Sequence, residues 1–282
     1  MTNQSCKTVI MERLSSLPKA EMKVGEYVLE HFSEVLNCNV SELAELSNTS
    51  DASVVRFCKK MGYKGYQEFK ISLAGDVIPP YKHFNQELDQ DDSTETVCAK
   101  IFNTEVAALN ETLSMVDYEA VEAVVKALEG ARRVEIYGSG GSLVVGMDVQ
   151  HKLLKIGIKA SAVADADLQA MSASLLEKGD VALCISHSGS NRTILNCMIQ
   201  AKMQGATTIA LTAAGSSPLS KMADIPLFVA TKQTVFKSES VSARIAQLAL
   251  MDAVVAKISI DIYDEAYEAI QKTRKATASN KY

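Results

Sequence analysis

The sequence is poor in the features that would assign it to a membrane, a disulfide framework or a metal site. No apolar run is long enough to span a bilayer. The first residues, MTNQSCKTVIMERL, lack an uninterrupted apolar core followed by a small-residue cleavage site, which predicts no signal peptide. The six cysteines, at 6, 38, 58, 98, 184 and 197, have neither C-x-x-C spacing nor the density of a disulfide scaffold. Most have apolar neighbours, so they are expected to be reduced, core-filling thiols of a cytoplasmic protein. The four histidines are scattered without metal-ligand spacing, and neither a metal nor a cofactor is expected. Positive charge is not in excess either: 29 Lys and Arg against 34 Asp and Glu leave a formal charge of -5. That balance argues against a protein that coats nucleic acid nonspecifically, but it leaves room for a small local DNA-binding face.

What remains is an ordinary globular composition, with 282 residues, 47% hydrophobic and 22% charged. At about 100 to 200 residues per domain this length suggests two domains. The division expected is residues 1–77, a linker at 78–95, and residues 96–282. The linker is marked by Pro79-Pro80, which cannot continue a helix, and by the acidic run QELDQDDSTE, which has too little apolar content to pack.

The first part reads as helical throughout. Leu17, Met22, Val24, Tyr27, Val28 and Phe32 recur at helix-like intervals after Pro18. A short helix marked by Val40, Leu43, Ala44 and Leu46 starts at Asn39, which with Glu42 resembles a capping box. Ser47-Asn48-Thr49-Ser50 is then a polar turn, and Asp51 to Met61 is a second helix with Val54, Val55 and Cys58 facing in. Two short helices joined by a tight polar turn are the helix-turn-helix pattern. From Asp51 to Lys70 the basic residues Arg56, Lys59, Lys60, Lys64 and Lys70 outnumber Asp51 and Glu68, and they fall where a recognition helix and the loop after it would meet phosphates. The plain alternative is a solvated face on a helical bundle.

From Arg132 onward strands and helices alternate. Candidate strands are residues 133–137, 160–164, 181–186, 207–211 and 225–230, a rhythm that predicts a parallel sheet covered by helices on both faces, with ligands at the carboxyl ends of its strands. Met198, Met203 and Met222 fall at helical positions and are expected to fill the core. The chemistry concentrates in two strand-to-helix loops. One is Gly138-Ser139-Gly140-Gly141-Ser142; the other ends the run DVALCISHSGSNRT, where Ser186 to Asn191 offers donors and Gly189 permits a tight turn. Unpaired amides and the dipole at a helix N-terminus make such a loop an anion site without needing lysine or arginine. The dinucleotide fingerprint is disfavoured, because Leu143 stands where it requires Gly or Ala. A phosphate monoester on a small polar molecule suits these loops better than a pyrophosphate.

Gly140-Gly141-Ser142 and Ser186-His187-Ser188-Gly189-Ser190-Asn191 resemble the phosphosugar-binding loops of the SIS (sugar isomerase) domain. The resemblance implies a flavodoxin-like, doubly wound sheet and a sugar-phosphate site containing Gly141, Ser142, Ser186, His187, Ser188 and Asn191, with the three serines on the phosphate-binding hydroxyls. Asn191 stands where the commonest pattern has Thr, and its amide still donates a hydrogen bond. The resemblance also puts the start of the helix that continues through 245–255 beside the pocket, often reaching it from a neighbouring subunit, which makes Glu239 a candidate contact. An ordinary helix start capped by Ser238 or Ser240 is the alternative.

Joined to ELAELSNTSDASVVRFCKKMGYKGYQEFK, these loops make the chain similar to the RpiR-type bacterial transcription regulators, an all-α helix-turn-helix domain followed by an α/β SIS domain. That similarity implies operator DNA bound by Thr49, Ser50, Ser53, Arg56, Lys59, Lys60 and Lys64, a phosphorylated sugar as effector, and a homodimer or dimer of dimers with no membrane association. Asn48 occupies a turn position where Gly is common, and Asn also tolerates left-handed backbone angles. The expected function is control of carbohydrate metabolism genes, amino-sugar genes among them, without catalysis. The alternative is a SIS-type sugar-phosphate isomerase or lyase, which would need a proton-shuttling group such as Glu239.

Overall fold

The computed structural model describes residues 5–36, 38–77, 81, 85, 87–230 and 241–278. The chain separates into two compact units, one running up to Ser93 and the other from Thr94 onward.

The first unit is helical: α1 (Cys6–Arg13), α2 (Lys19–Glu30), α3 (Phe32–Val35), α4 (Val40–Leu46), α5 (Asp51–Lys60) and α6 (Tyr66–Val77). Its core gathers Ile10, Val24, Val28, Leu43, Val54, Phe57, Cys58, Phe69 and Leu73, with Phe57 and Phe69 edge to face at 5.5 Å. Asn39 closes the expected capping box of α4: its side chain accepts from the Ser41 and Glu42 amides, while the Glu42 carboxylate accepts from the Asn39 amide. Asn48 takes the left-handed conformation, φ 50°, that the turn between α4 and α5 demands. In α5 the inward face is Val54, Phe57 and Cys58, with Val55 only half-buried. The acidic stretch after α6 is less solvated than its composition suggests, because Leu88 is buried within it.

The charged residue that binds α2 to α5 is Glu21. It is 4% exposed and lies three and seven residues ahead of the buried Val24 and Val28, so it shares their face of α2. Burial at that position is supported by two donors from α5: Arg56 Nε at 2.9 Å and Lys60 Nζ at 3.0 Å.

The second unit opens with α7 (Thr94–Ser114) and α8 (Tyr118–Glu129), then alternates β1 (Val134–Tyr137), α9 (Gly141–Lys155), β2 (Ala160–Ala162), α10 (Ala166–Ser174), β3 (Val181–Ile185), α11 (Arg192–Met203), β4 (Thr207–Ala213), α12 (Pro218–Met222) and β5 (Ile225–Val229). Two helices, α13 (Val241–Asp261) and α14 (Tyr263–Ala278), complete it. All strand pairs are parallel and the order is β2-β1-β3-β4-β5, with Val134 opposite Val181 and Val181 opposite Thr207. This is the doubly wound arrangement expected of a chain whose central strands are continuous apolar runs. Alternate residues of each strand serve opposite faces. Ile136, Leu183 and Ile185 pack with α8, α9 and α13, whereas Tyr137, Ala182 and Cys184 pack with α10 and α11. Met198 lies in that second cluster and Met222 at its margin, but Met203 is 73% exposed. The buried stripe of α11 is Ile194, Cys197, Met198 and Ala201, and position 203 falls off it.

The amino ends of the strands are held by Asp180, which is fully buried between Arg132 and Arg133, with Nε–carboxylate distances of 3.3 and 3.2 Å. The opposite, carboxyl ends carry no such lock and are left to the loops.

The hydrogen bond from Arg56, followed by that from Lys60, holds the Glu21 carboxyl below its ordinary range. A carboxyl whose folded pKa is depressed adds stability that is complete above its unfolded value, near 4.3, and is lost as pH falls through the folded one. Hydrogen exchange of the α2 and α5 amides should therefore accelerate as pH is lowered from about 5, after correction for intrinsic rates, and Glu21→Gln should flatten that dependence. The same acid sensitivity in wild type and variant would assign it to other carboxylates.

Candidate functional site

The face expected to meet DNA is built by α4, its turn and α5, and the turn spends most of its hydroxyls on itself. Ser47 donates to the Leu43 carbonyl at 2.6 Å and lies 2.9 Å from the Thr49 hydroxyl. Ser50 caps α5 by accepting from the Ser53 amide. Ser53 is buried, its hydroxyl 3.0 Å from that of Ser50 and accepting from Arg56 Nη2 at 2.9 Å. Ser41 donates to Asp51 at 2.7 Å, a second tie between the two helices. Of the seven residues expected here, Ser50, Arg56, Lys59, Lys60 and Lys64 are exposed, Thr49 is half-buried and Ser53 is buried. Arg56 and Lys60, though exposed along their stems, have their charged ends on Glu21, whereas Lys59 has no carboxylate partner among the described residues. Glu21 was missed by a reading of charge totals; its position on the apolar repeat of α2 is the signal that could have found it.

The second site lies where the strand order reverses. From β1 the chain goes out to β2 on one side; from β3 it goes to β4 and β5 on the other, so the loops that follow β1 and β3 diverge and leave a crevice between them. Both loops enter helices there, α9 and α11, whose N-termini present amides and positive dipole ends to the crevice. A cavity of about 120 Å³, open to solvent, is lined by Ser139, Ser142, Ser186, His187, Ser188, Asn191, Ile185 and Ile194. Ser142, Ser186, His187, Ser188 and Asn191 are thus brought together as expected; Gly141 adjoins them at the start of α9, Ser139 is an addition, and Glu239 lies outside the described residues.

Local geometry explains why these residue types stand there. Gly189 has φ +60°, and a Cβ on it would lie 2.1 Å from Ser217 Oγ, so no side chain fits that turn without displacing the start of α12. The Gly189 amide donates to the Ser186 carbonyl at 3.1 Å, which closes the turn and leaves the Ser188 side chain exposed. Asn191 caps α11, accepting from the Ile194 amide at 3.2 Å, so its oxygen is engaged and its NH2 group is the end left to donate. His187 is anchored through its carbonyl, which accepts from the Ala213 amide and the Thr212 hydroxyl. Burial pushes its imidazole pKa down, which favours the neutral ring at pH 7, and its Nδ1 is enclosed without a hydrogen-bond partner. A pocket of hydroxyls, an amide, a neutral imidazole and two helix N-termini can bind an oxyanion and orient hydroxyl groups beside it. Among the described residues no group of three or more His, Cys, Asp or Glu could hold a metal ion, and no helix is long and apolar enough to cross a membrane.

Comparison with known proteins finds both parts. Residues 5–79 match the helix-turn-helix domain of the rpiR family and residues 127–257 match the SIS domain. An HTH-type transcriptional regulator of Caldanaerobacter subterraneus subsp. tengcongensis is 36% identical, the match covering 97% of each chain. The HTH-type transcriptional regulator YbbH of Bacillus subtilis is 32% identical over 96% of each. Among solved structures, the Vibrio vulnificus NanR protein complexed with ManNAc-6P superimposes with a TM-score of 0.68 at 26% identity, covering 98% of this chain and all of that one. Similarity over nearly the full length of named regulators, with the two domain matches in the same order, settles the family: the chain belongs to the RpiR family of helix-turn-helix transcriptional regulators, with a SIS domain as its second unit.

Proposed function

We propose that the protein is a cytoplasmic sensor of a phosphorylated sugar that controls carbohydrate-metabolism genes, with residues 1–77 binding operator DNA, 96–282 binding the effector and 78–95 joining them. The observation that carries this reading is the cavity at the strand-order reversal, where hydroxyls and two helix N-termini converge. The NanR protein, similar over 98% of this chain, was solved with ManNAc-6P, which makes N-acetylated hexosamine phosphates the first ligands to try. Turnover is not expected. Moving a proton between adjacent carbons of a sugar requires a carboxylate or imidazole poised to accept it. Among the described lining residues only His187 carries an imidazole or carboxylate, and burial holds its pKa down with Nδ1 enclosed. The effector acts by changing affinity for DNA, and a SIS-mediated homodimer, or a dimer of dimers, presents recognition helices to an operator of approximate two-fold symmetry with half-sites about 34 to 36 Å apart.

Two measurements test the sensor. In calorimetry with ManNAc-6P and other hexose and amino-sugar phosphates, Ser186→Ala combined with Ser188→Ala should weaken binding by at least about tenfold, since each hydrogen bond to a charged oxygen is worth roughly 1.5 to 3 kcal/mol. Unchanged affinity would place the pocket elsewhere. NMR of the bound sugar should show no isomerisation over hours, and its appearance would move the protein into the enzyme class.

The DNA-binding face is tested by fluorescence anisotropy at several salt concentrations. Lys59→Ala should weaken binding to all sequences and lower the salt slope by about one. Lys60→Ala should lower it by less than half as much, because Glu21 already neutralises that ammonium. Arg56, held toward Glu21 and Ser53, is the candidate for a base edge, and Arg56→Ala should narrow the gap between operator and random DNA. Saturating effector should change operator affinity by roughly 5- to 150-fold. Indifference to all three substitutions would remove this face from DNA binding, and equal operator affinity with and without ligand would remove the sensor.

A further inference from the structure

The first turn of α9 differs from the other helix start at the cavity. Asn191 caps α11 with its side chain, but at α9 the N-cap residue is Gly140 and no side chain accepts from the first amides. The Ser142 and Leu143 amides bond back to the Ser139 and Gly140 carbonyls, but the partial positive charge of the helix end remains, which favours an anion and disfavours a cation. Against that turn, nevertheless, lies a cation. A Cβ placed on Gly141, the first residue of α9, would be 2.6 Å from Arg244 Nη2, 3.2 Å from its Cζ and 3.3 Å from its Nε, so the guanidinium occupies the space beside the Gly141 α-carbon. A side chain at that position would make the flexible end of the arginine shift. Arg244 sits near the start of α13, half-exposed, and makes no hydrogen bond or ion pair with any described residue. An unpaired guanidinium at the positive end of an uncapped helix is electrostatically unfavourable in the absence of a ligand. The neighbouring residue, Ser142, lines the cavity, as does His187 with its enclosed Nδ1.

We propose that Arg244, beside Gly141 at the N-terminus of α9, is the charge that makes the cavity a site for a phosphate monoester dianion. The proposal rests on the sugar-phosphate reading above and adds what the serine loops lack, a full positive charge. Hydroxyls and amides alone can hold an oxyanion of either charge. Adding a guanidinium favours two negative charges over one and supplies planar donors suited to phosphate oxygens. The arginine reaches the site from α13, well beyond the two loops in sequence, so ligand binding ties α13 to α9 across the face of the sheet.

Calorimetry with ManNAc-6P and with inorganic phosphate as probes, on the full-length protein, tests this. Arg244→Gln should weaken both by about tenfold or more and remove most of their dependence on ionic strength, while Arg244→Lys should recover a substantial part of the affinity. Gly141→Ala, which displaces the guanidinium from the opposite side, should also weaken both probes. The melting temperature of the ligand-free protein should stay level or rise in Arg244→Gln, because the variant relieves an unpaired cation at a helix N-terminus. Wild-type protein that binds either probe, with Arg244→Gln equal to it, overturns the role of Arg244 and leaves the serine site standing. If Lys is as poor as Gln and both lower the ligand-free melting temperature, the arginine is a packing element and the proposal is likewise overturned. Wild-type protein that binds neither probe overturns the phosphate site itself and this inference with it.

Discussion

Reversal of strand order between β1 and β3 is the constraint on which the carboxyl end of the second unit's sheet depends, because right-handed crossovers leaving two adjacent strands in opposite directions cannot fill the space between their loops. Both loops then run into helices, so two N-termini turn their positive dipole ends to one crevice. The residue types follow from that geometry. Gly189 is demanded by a positive φ with Ser217 pressed against the turn. The serines sit where short side chains with donors reach the crevice without filling it. At the other end of the sheet the opposite solution is found, with Asp180 buried between two arginines and the strand starts locked.

The two units use positive charge in contrasting ways. In the helical unit a buried carboxylate, Glu21, receives Arg56 and Lys60, so part of the basic face of α5 is neutralised from within and oriented by the fold. In the sheet unit Arg244 approaches a helix N-terminus with no carboxylate on it among the described residues. A cation that is already paired contributes orientation, whereas an unpaired one is free to attract an anion. Counting basic residues cannot tell the two apart, since the difference lies in the partner.

What the sequence determined by itself is everything that depends on residues close together in the chain. Short continuous apolar runs and period-3.6 apolar patterns located the five parallel strands and the helices between them. The capping box at Asn39, the left-handed Asn48 and the tight turn at Gly189 were legible because each is set by one residue's backbone or by a bond spanning three positions. The two polar loops could be placed at the carboxyl ends of strands for the same reason. Only the tertiary structure decided which charges meet: Glu21 and Arg56 are 35 residues apart, and Gly141 and Arg244 are farther still. It also decided that Ser53 turns inward, that Met203 falls outside the buried stripe of its helix, and that Leu88 packs within an acidic stretch. Local patterns fix backbone conformation because φ, ψ and the nearest hydrogen bonds suffice for it, whereas the partner of a long side chain is chosen by whichever distant element the packed core brings alongside.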